Sequence, residues 1–504
     1  MTDPTADPAD ASDGVPATIV GNLQRGARLF PDRPLLTAGG RTVSYGEFAE
    51  LVEGAAARLA VEGLRPGDRL AVCLPSGLDI AVAIWACARG GFVFTGLPVT
   101  LTPDEQSVLI AHADPALVLA ADEFLPGLSG RGFPLHPVAD LLTGRRLPWD
   151  HERPLPDPAD VHALIYTSGT SGTPKGATVT HRAAMHVAGC YRRLLDLTPT
   201  DVTAICLPFT YVSGHLSQLN PFMLAGGSAV VLPRFDATEL LRVLGHHRVT
   251  VVDVVPAMFA LLLRHPGFRG ERLPALRAAF FGGAPMPAVT IAALRDRLPD
   301  MTLHNVYGMT ETAGLVTMLD DCETRPGSVG RPVPGARVRI VDDAGRVAHE
   351  GELLVSGPMV TGGYWRNPRA TAAALRDGWL HTGDVARRDD EGYLYVLGRA
   401  DDMINRGGAK INPADVQAAL AAHPAVAEAA VFAVPDRLGG QMVAACVVLH
   451  PDAVVTAAQL RAFARTRLPV AARPKRLSIV DELPRGRTGK IDTAALRTRF
   501  ERPQ

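Results

Sequence analysis

The sequence predicts an α/β fold: mostly parallel sheets covered by helices, followed by a smaller β-rich part and a compact α+β tail. Three observations predict it. Apolar strand-like runs alternate with helical periodicity along the first part of the chain. From about residue 330 the runs shorten and Gly turns separate them. After Arg399 helices and strands alternate again at closer spacing.

In chain order, Ser44 can cap a helix, with Glu47 as its reciprocal partner, and Phe48, Leu51, Val52, Ala55 and Leu59 keep helical spacing until Gly63. Gly67-Asp68 turns into the buried strand Arg69 to Leu74. A helix near 78–90, strands near 117–120 and 162–166, a helix near 182–195 and a strand near 228–232 follow. Short strands are expected over 336–355 and 392–397. The tail reads as a helix over 413–422, strands near 426–434 and 442–449, a helix near 456–467 and a last strand near 477–480. The polar turn from Gly398 to Asp402 is the expected boundary between a large and a small domain.

The 504 residues suffice for at least two domains. Lys+Arg 51 against Asp+Glu 52 gives a net charge of −1, which offers no general attraction to nucleic acid or an anionic membrane. The six cysteines are scattered without a Cys-x-x-Cys pair, as expected in a reducing, cytoplasmic compartment. Met1 to Pro16 is acidic, lacks signal-peptide character and is expected to be disordered. Ile80 to Ala88 is too short an apolar run to span a bilayer.

The chemistry concentrates in glycine-rich segments. Tyr166-Thr-Ser-Gly-Thr-Ser-Gly-Thr-Pro-Lys175 follows a buried strand and is dense in hydroxyls. Its backbone N–H groups can form a concavity for phosphate oxygens, with Lys175 adding charge. It is not the P-loop, which needs Gly-Lys followed by Ser or Thr. A polar surface linker is the competing reading. Phe281-Gly-Gly-Ala-Pro285 could admit a planar base or simply be a strand-to-helix turn. In Asn305-Val-Tyr-Gly-Met-Thr-Glu311 a hydroxyl beside a carboxylate suits Mg²⁺ held against phosphate, and Tyr307 could stack on a purine. Asp384, in Gly378-Trp-Leu-His-Thr-Gly-Asp384, could accept both hydroxyls of a ribose or be a turn aspartate. Gly398 to Gly408 and Leu483 to Asp492 complete the series, each weak alone. His246-His247 reads as a solvated helix end rather than a metal site.

Taken together and in this order, the segments resemble the acyl-adenylate-forming superfamily of acyl-CoA synthetases, aryl-acid and nonribosomal-peptide adenylation domains, and firefly-type luciferases. The resemblance runs from about Val43 to Asp492. It implies a large N-terminal domain (17–400) of two αβ-sandwich subdomains plus a β-barrel-like subdomain, and a small mobile α+β C-terminal domain (401–504). It implies that Thr167, Ser168, Gly169, Thr170 and Lys175 hold the departing phosphates, and that Gly283, Ala284 and Tyr307 bracket adenine. Thr310 and Glu311 would contact the α-phosphate and Mg²⁺, and Asp384 and Arg399 the ribose. Asp401 matches the hinge, and Lys490 the lysine that bridges substrate carboxylate and AMP. Tyr211, Val212, His215, Gly308 and Gly314 would line the acyl pocket, and Gly407 and Gly408 would let a pantetheine arm pass. Many relatives carry an aromatic-His pair where Thr210-Tyr211 stands here, and His215 reads as pocket wall rather than base. Ser213 replaces the aspartate of amino-acid-activating relatives, so an uncharged apolar aryl, alicyclic or aliphatic acid is expected.

The implied reaction consumes ATP, with Mg²⁺, to make an acyl-AMP and then a thioester of CoA or of a carrier-protein phosphopantetheine. A luciferase-like oxygenase and a non-enzymatic nucleotide-binding relative are the other classes, and a homodimer is left open. The C-terminal Glu501-Arg-Pro-Gln504 is no peroxisomal address, which disfavours the luciferase reading.

Overall fold

The computed structural model describes residues 14–139, 154–167, 174–406, 409–436, 440–451, 453–485 and 491–501. Their contacts form two compact units, Met1–Val338 with Val355–His381, and Arg339–Leu354 with Thr382–Gln504.

The first unit holds two sheets. One has six strands in the order Leu135–Pro137, Leu117–Ala120, Arg69–Cys73, Val93–Gly96, Val161–Thr167 and Lys175–Thr180. All its pairs are parallel except the last, a hairpin that sets Thr167 opposite Lys175. The other has nine strands. Its centre is parallel and runs Thr302–Tyr307, Ala278–Gly282, Val251–Asp253, Val202–Ile205, Ser228–Val231 and Pro34–Ala38. Antiparallel strands, Thr317–Leu319 beyond Thr302–Tyr307 and Arg41–Ser44 beyond Pro34–Ala38, border that centre.

Local sequence explains the helices that cover these sheets. Ser44 and Glu47 close a reciprocal capping box on Tyr45–Val61, as their spacing predicts. Leu78–Gly90 is buried over nearly its whole length and stops at Gly91, whose φ of +70° is left-handed. His181–Leu194 starts at the Thr180 cap and packs Met185, Val187 and Tyr191 into the core.

The second unit carries an antiparallel ladder that sets Asp384 opposite Arg399. It also contains a sheet of Ala409–Ile411, Ile404–Arg406, Gly440–Leu449, Val426–Asp436 and Arg476–Ile479. Helices Pro413–Ala421 and Ala457–Arg465 add Val416, Leu420 and Leu460 to its core. The turn from Gly398 to Asp402 contains the 3₁₀ turn Ala400–Asp402 and is grouped with this unit. Contacts group it there because the preceding strand pairs with residues 384–388. Of the stretch expected to be disordered, residues 1–13 lie outside the described residues, and Val15 packs against the first core.

Arg89, at the end of the Leu78–Gly90 helix, is only 1% exposed, and its Nε donates to Glu53 Oε1 at 2.6 Å. Removing one partner of a buried ion pair leaves the other charge desolvated. Glu53→Ala should therefore cost about 2–4 kcal/mol, read as a lower denaturant midpoint for the first unit, with Glu53→Gln costing less.

Candidate functional site

The site begins where parallel strands end. Ala278–Gly282 and Thr302–Tyr307 run side by side with Gly282 opposite Val306, so their carboxyl ends leave the sheet on one edge. Ligands of open α/β sheets bind at such edges. Gly283 and Ala284 emerge from the first strand and are exposed, and Tyr307 closes the second. A side chain at Gly282 would put Cβ 2.7 Å from the Val306 carbonyl oxygen, so the approach of these backbones requires glycine. The sequence-predicted adenine residues are thus neighbours.

Beyond Tyr307 the chain makes the 3₁₀ turn Thr310–Thr312 before the antiparallel strand Thr317–Leu319. Met309 N–H donates to Thr312 Oγ1 at 3.0 Å, and Ala313 sits at a left-handed φ of +50°. This turn carries Thr310 and Glu311. Glu311 Oε1 accepts a 2.6 Å hydrogen bond from the Tyr364 hydroxyl, and its backbone oxygen accepts from Thr361 N–H at 2.8 Å.

Tyr364 reaches the other sheet as well. It bridges Ala177, while Thr178 N–H donates to the Gly363 carbonyl at 3.0 Å and Trp365 N–H to the Gly176 carbonyl at 2.8 Å. Lys175 Nζ lies 5.8 Å from the Tyr364 ring centroid, within cation–π range. Thr167 Oγ1 donates to the Lys175 carbonyl across the hairpin at 3.4 Å. The structure therefore joins Thr167, Lys175 and Glu311 through Tyr364, which sequence reasoning missed. Its only signal is the adjacent Gly362-Gly363, which resembles any turn. Ser168, Gly169 and Thr170 lie outside the described residues, as do Gly407, Gly408 and Lys490.

In the second unit Arg399 Nη1 donates to Asp384 Oδ1 at 3.2 Å and to the Thr382 carbonyl at 2.9 Å. Asp384 N–H in turn donates to Thr382 Oγ1. Gly383 has a φ of +69° and a Cβ there would meet Arg399 at 2.9 Å. The two predicted ribose residues are therefore a fixed pair. Asp401 follows in the exposed turn Ala400–Asp402.

The candidate acyl residues gather around a π-helical stretch, Ser213–Leu219. Tyr211 and Val212 precede it and are half-buried, and burial raises the Tyr211 hydroxyl above its ordinary range. A Cβ on Gly314 would lie 3.2 Å from both Val212 Cγ2 and Ser217 Oγ, and one on Gly308 only 2.3 Å from the Gly314 carbonyl oxygen. Val212, Gly308 and Gly314 are thus one wall. His215 lies deeper, fully buried, its Nδ1 2.9 Å from the Phe209 carbonyl oxygen.

His215 is one of three clustered histidines. A register shift between Val161 and Ala163 places His162 between His181, at 5.2 Å between centroids, and His215, at 5.8 Å. Both nitrogens of His162, Nδ1 of His181 and Nε2 of His215 lack a hydrogen-bond partner among the described residues. Burial lowers all three: His181 and His215 fall to about 4, Asp160 partly opposing for His181 and backbone hydrogen bonds for His215. His162 falls well below its ordinary value, with its two histidine neighbours adding to burial. A neutral imidazole at these positions is a packing group rather than a cation.

Tyr364 occupies one Glu311 oxygen and leaves Oε2 available. No cluster of three or more His, Cys, Asp or Glu able to hold a metal occurs among the described residues, and His246-His247 ends a helix without forming one. A divalent cation at Glu311 would draw its other ligands from phosphate and water, which fits Mg²⁺.

Comparison with known proteins identifies what the chain is similar to. The family described as AMP-binding enzyme matches residues 23–365, and its C-terminal domain matches 415–490. The chain is 35% identical to a feruloyl-CoA synthase from an Amycolatopsis species, over 94% of this chain and 98% of that protein. It is 32% identical to an oxalate–CoA ligase from Arabidopsis thaliana, over 96% and 99%. Its fold matches O-succinylbenzoate coenzyme A synthetase from Bacillus subtilis in complex with ATP and magnesium, with a TM-score of 0.85, 30% identity and coverage of 95% and 99%.

The histidine cluster gives a pH prediction. The unfolded histidines bind protons near 6.5 while the folded His181 and His215 wait until about 4. Between these values the unfolded state holds more protons, so stability falls as pH falls. The expected slope is up to about 1.4 kcal/mol per pH unit for each histidine. Denaturant titrations from pH 7 to 4 measure it, and His162→Leu should flatten it. An unchanged slope in that variant contradicts burial of a neutral His162.

Proposed function

The chain belongs to the AMP-binding enzyme family, and on that premise we propose an AMP-forming acyl-CoA synthetase acting on an apolar aryl, alicyclic or aliphatic carboxylic acid. The chain is an ATP-dependent acid–CoA ligase, using Mg²⁺. The observation that carries the site assignment is the chain of contacts from Lys175 through Tyr364 to Glu311. It joins the exit of a hydroxyl-rich loop to a carboxylate at a strand edge, as a nucleotide triphosphate requires. No helix among the described residues is long and apolar enough to cross a membrane. All six cysteines are buried and none forms a disulfide, which suits a reducing compartment.

In the first step a carboxylate oxygen of the acid attacks the α-phosphorus of ATP. The bond to the bridging oxygen breaks and pyrophosphate leaves. Two unit charges about 4 Å apart repel by roughly 4 kcal/mol at an effective dielectric of about 20. That is about three decades of rate. We assign relief of this repulsion to Lys490, with Thr167 and Lys175 bearing on the departing phosphates. Mg²⁺ bound by Glu311 and phosphate oxygens would neutralise charge developing on pyrophosphate. No general base is required, because the acid is already ionised at neutral pH. In the second step the CoA sulfur attacks the acyl carbon, the carbon–oxygen bond to AMP breaks and the thiol proton passes to solvent. Asp384 and Arg399 hold the ribose in this reading, Asp401 is the pivot between the two half-reactions, and Gly407-Gly408 lets the pantetheine arm pass.

The acid's walls are Tyr211, Val212, Gly308 and Gly314, and Ser213 offers no counter-charge to an ammonium. Acid-dependent exchange of labelled pyrophosphate into ATP, followed by acyl-CoA formation, tests the whole reading. Failure of exchange over a broad acid panel refutes it. Exchange without thioester formation unless a phosphopantetheinylated carrier is supplied refutes CoA as acceptor.

Two variants probe the roles. Tyr364→Phe deletes a hydrogen bond to a charged group, worth about 1.5–3 kcal/mol, and should slow exchange about 10- to 100-fold with unfolding little changed. Exchange at the wild-type rate would show that Glu311 does not depend on it. Lys490→Ala should abolish acyl-AMP formation yet leave thioester formation from supplied acyl-AMP largely intact. Equal loss in both half-reactions would show that the lysine does not serve the adenylation step specifically.

A further inference from the structure

Asp253 closes the central strand Val251–Asp253 at the same carboxyl edge that carries Gly283 and Tyr307. It is 6% exposed, and among the described residues its carboxyl has neither a hydrogen-bond nor an ion-pair partner. A buried carboxyl normally has one. No cation among the described residues faces it, and burial alone raises it well above the usual carboxylate range. Such an environment favours the neutral acid, which has one O–H to donate and a carbonyl oxygen to accept.

Its surroundings connect it to the acyl wall. Asp253 pairs with Phe280, so both side chains lie on one face of the sheet. The Phe280 ring sits 5.3 Å from the Tyr191 ring, tilted by 39°. Tyr191 is close enough to Ser217 and to Asp253 to be influenced by both, and the Cys206 thiol is influenced by Asp253 as well. Ser217 Oγ, with Val212, is what a side chain on Gly314 would strike. A continuous line therefore runs from the Gly308–Gly314 wall through Ser217 and Tyr191 to Asp253. The Tyr191 and Phe280 rings lie along it, and it ends at the Asp253 carboxyl.

We propose that Asp253 is a specificity-determining residue that selects an aryl acid carrying a hydroxyl on the ring, at the end remote from the reacting carboxylate. The inference rests on the ligase reading above and refines its substrate class. A phenolic hydroxyl both donates and accepts, so it can satisfy both oxygens of a neutral carboxyl. An ammonium would instead force an ion pair into a dry aromatic site, which costs desolvation of both charges. Sites built to hydrogen-bond a substrate hydroxyl discriminate strongly against analogues lacking it, because the buried partner is then left unpaired.

The test compares 3-phenylpropanoic acid with its 3- and 4-hydroxyphenyl and 4-(aminomethyl)phenyl counterparts, by kcat/KM in ATP–pyrophosphate exchange with the full-length enzyme. Wild type should prefer one hydroxylated acid by at least about tenfold. Asp253→Leu should lose about 10- to 100-fold on that acid, chiefly in KM, and little on the unsubstituted one. Asp253→Asn, which keeps donor and acceptor, should retain most of the preference. Three results overturn the proposal: a wild type indifferent to the hydroxyl, a wild type that prefers the cationic acid, or a Leu variant equally impaired on every acid. In each the ligase reading stands. A wild type that activates no acid at all overturns both. The wild-type comparison decides even where the Leu variant fails to fold.

Discussion

One hydrogen bond sets the geometry on which the nucleotide site depends. Glu311 belongs to a turn of the nine-stranded sheet, and Tyr364 is stitched to the Lys175–Thr180 strand of the six-stranded sheet. The 2.6 Å contact between them fixes the carboxylate relative to the hairpin whose loop lies between Thr167 and Lys175. Bonds to a charged acceptor are short and roughly twice as strong as neutral ones. A misplacement of about 1 Å between reacting groups is enough to slow a reaction about a hundredfold. Joining the two sheets at the point where the proposed function puts the phosphates is therefore an economical use of a single hydroxyl.

The same constraint explains what the site lacks. Attack by an ionised acid on a polyanion needs neutralisation, not proton abstraction. Buried histidines are correspondingly held neutral, His181 and His215 near 4. They pack behind the acyl wall, where a positive charge would compete with the lysines for the anions. Asp253 follows the same logic from the other sign: in a site that must receive anions, a buried carboxyl is tolerable when it is protonated.

Much of this was legible in the sequence where a single local rule suffices. The Ser44–Glu47 capping box, the largely apolar Leu78–Gly90 helix and the buried run Leu117–Ala120 all form where spacing places them. What escaped depends on contacts between distant residues. Tyr364 and Glu311 are 53 residues apart, and no periodicity marks either as the other's partner. Asp253 ends an ordinary apolar run, and its meaning comes only from the burial that surrounds it.

The departures from local rules are themselves informative, because they cluster. The register shift at His162, the π-helical turn at Ser213–Leu219, the left-handed Ala313 and Asp253, which has no partner among the described residues, each cost stability in isolation. They arise on different elements of the first unit, yet contacts link most of them to the acyl wall. His162 meets His215 within the π-helical stretch, Ser217 of that stretch meets Gly314 beside Ala313, and Tyr191 carries the line from Ser217 to Asp253. A sequence under selection for stability alone would have replaced an unpaired buried aspartate with Asn, Val or Leu at little structural cost. Where several such costs converge on one wall while the surrounding helices and strands obey their propensities, function is the simplest common cause. That convergence is the reason for proposing that acid choice is decided at the carboxyl end of Val251–Asp253, beyond the Gly308 and Gly314 wall.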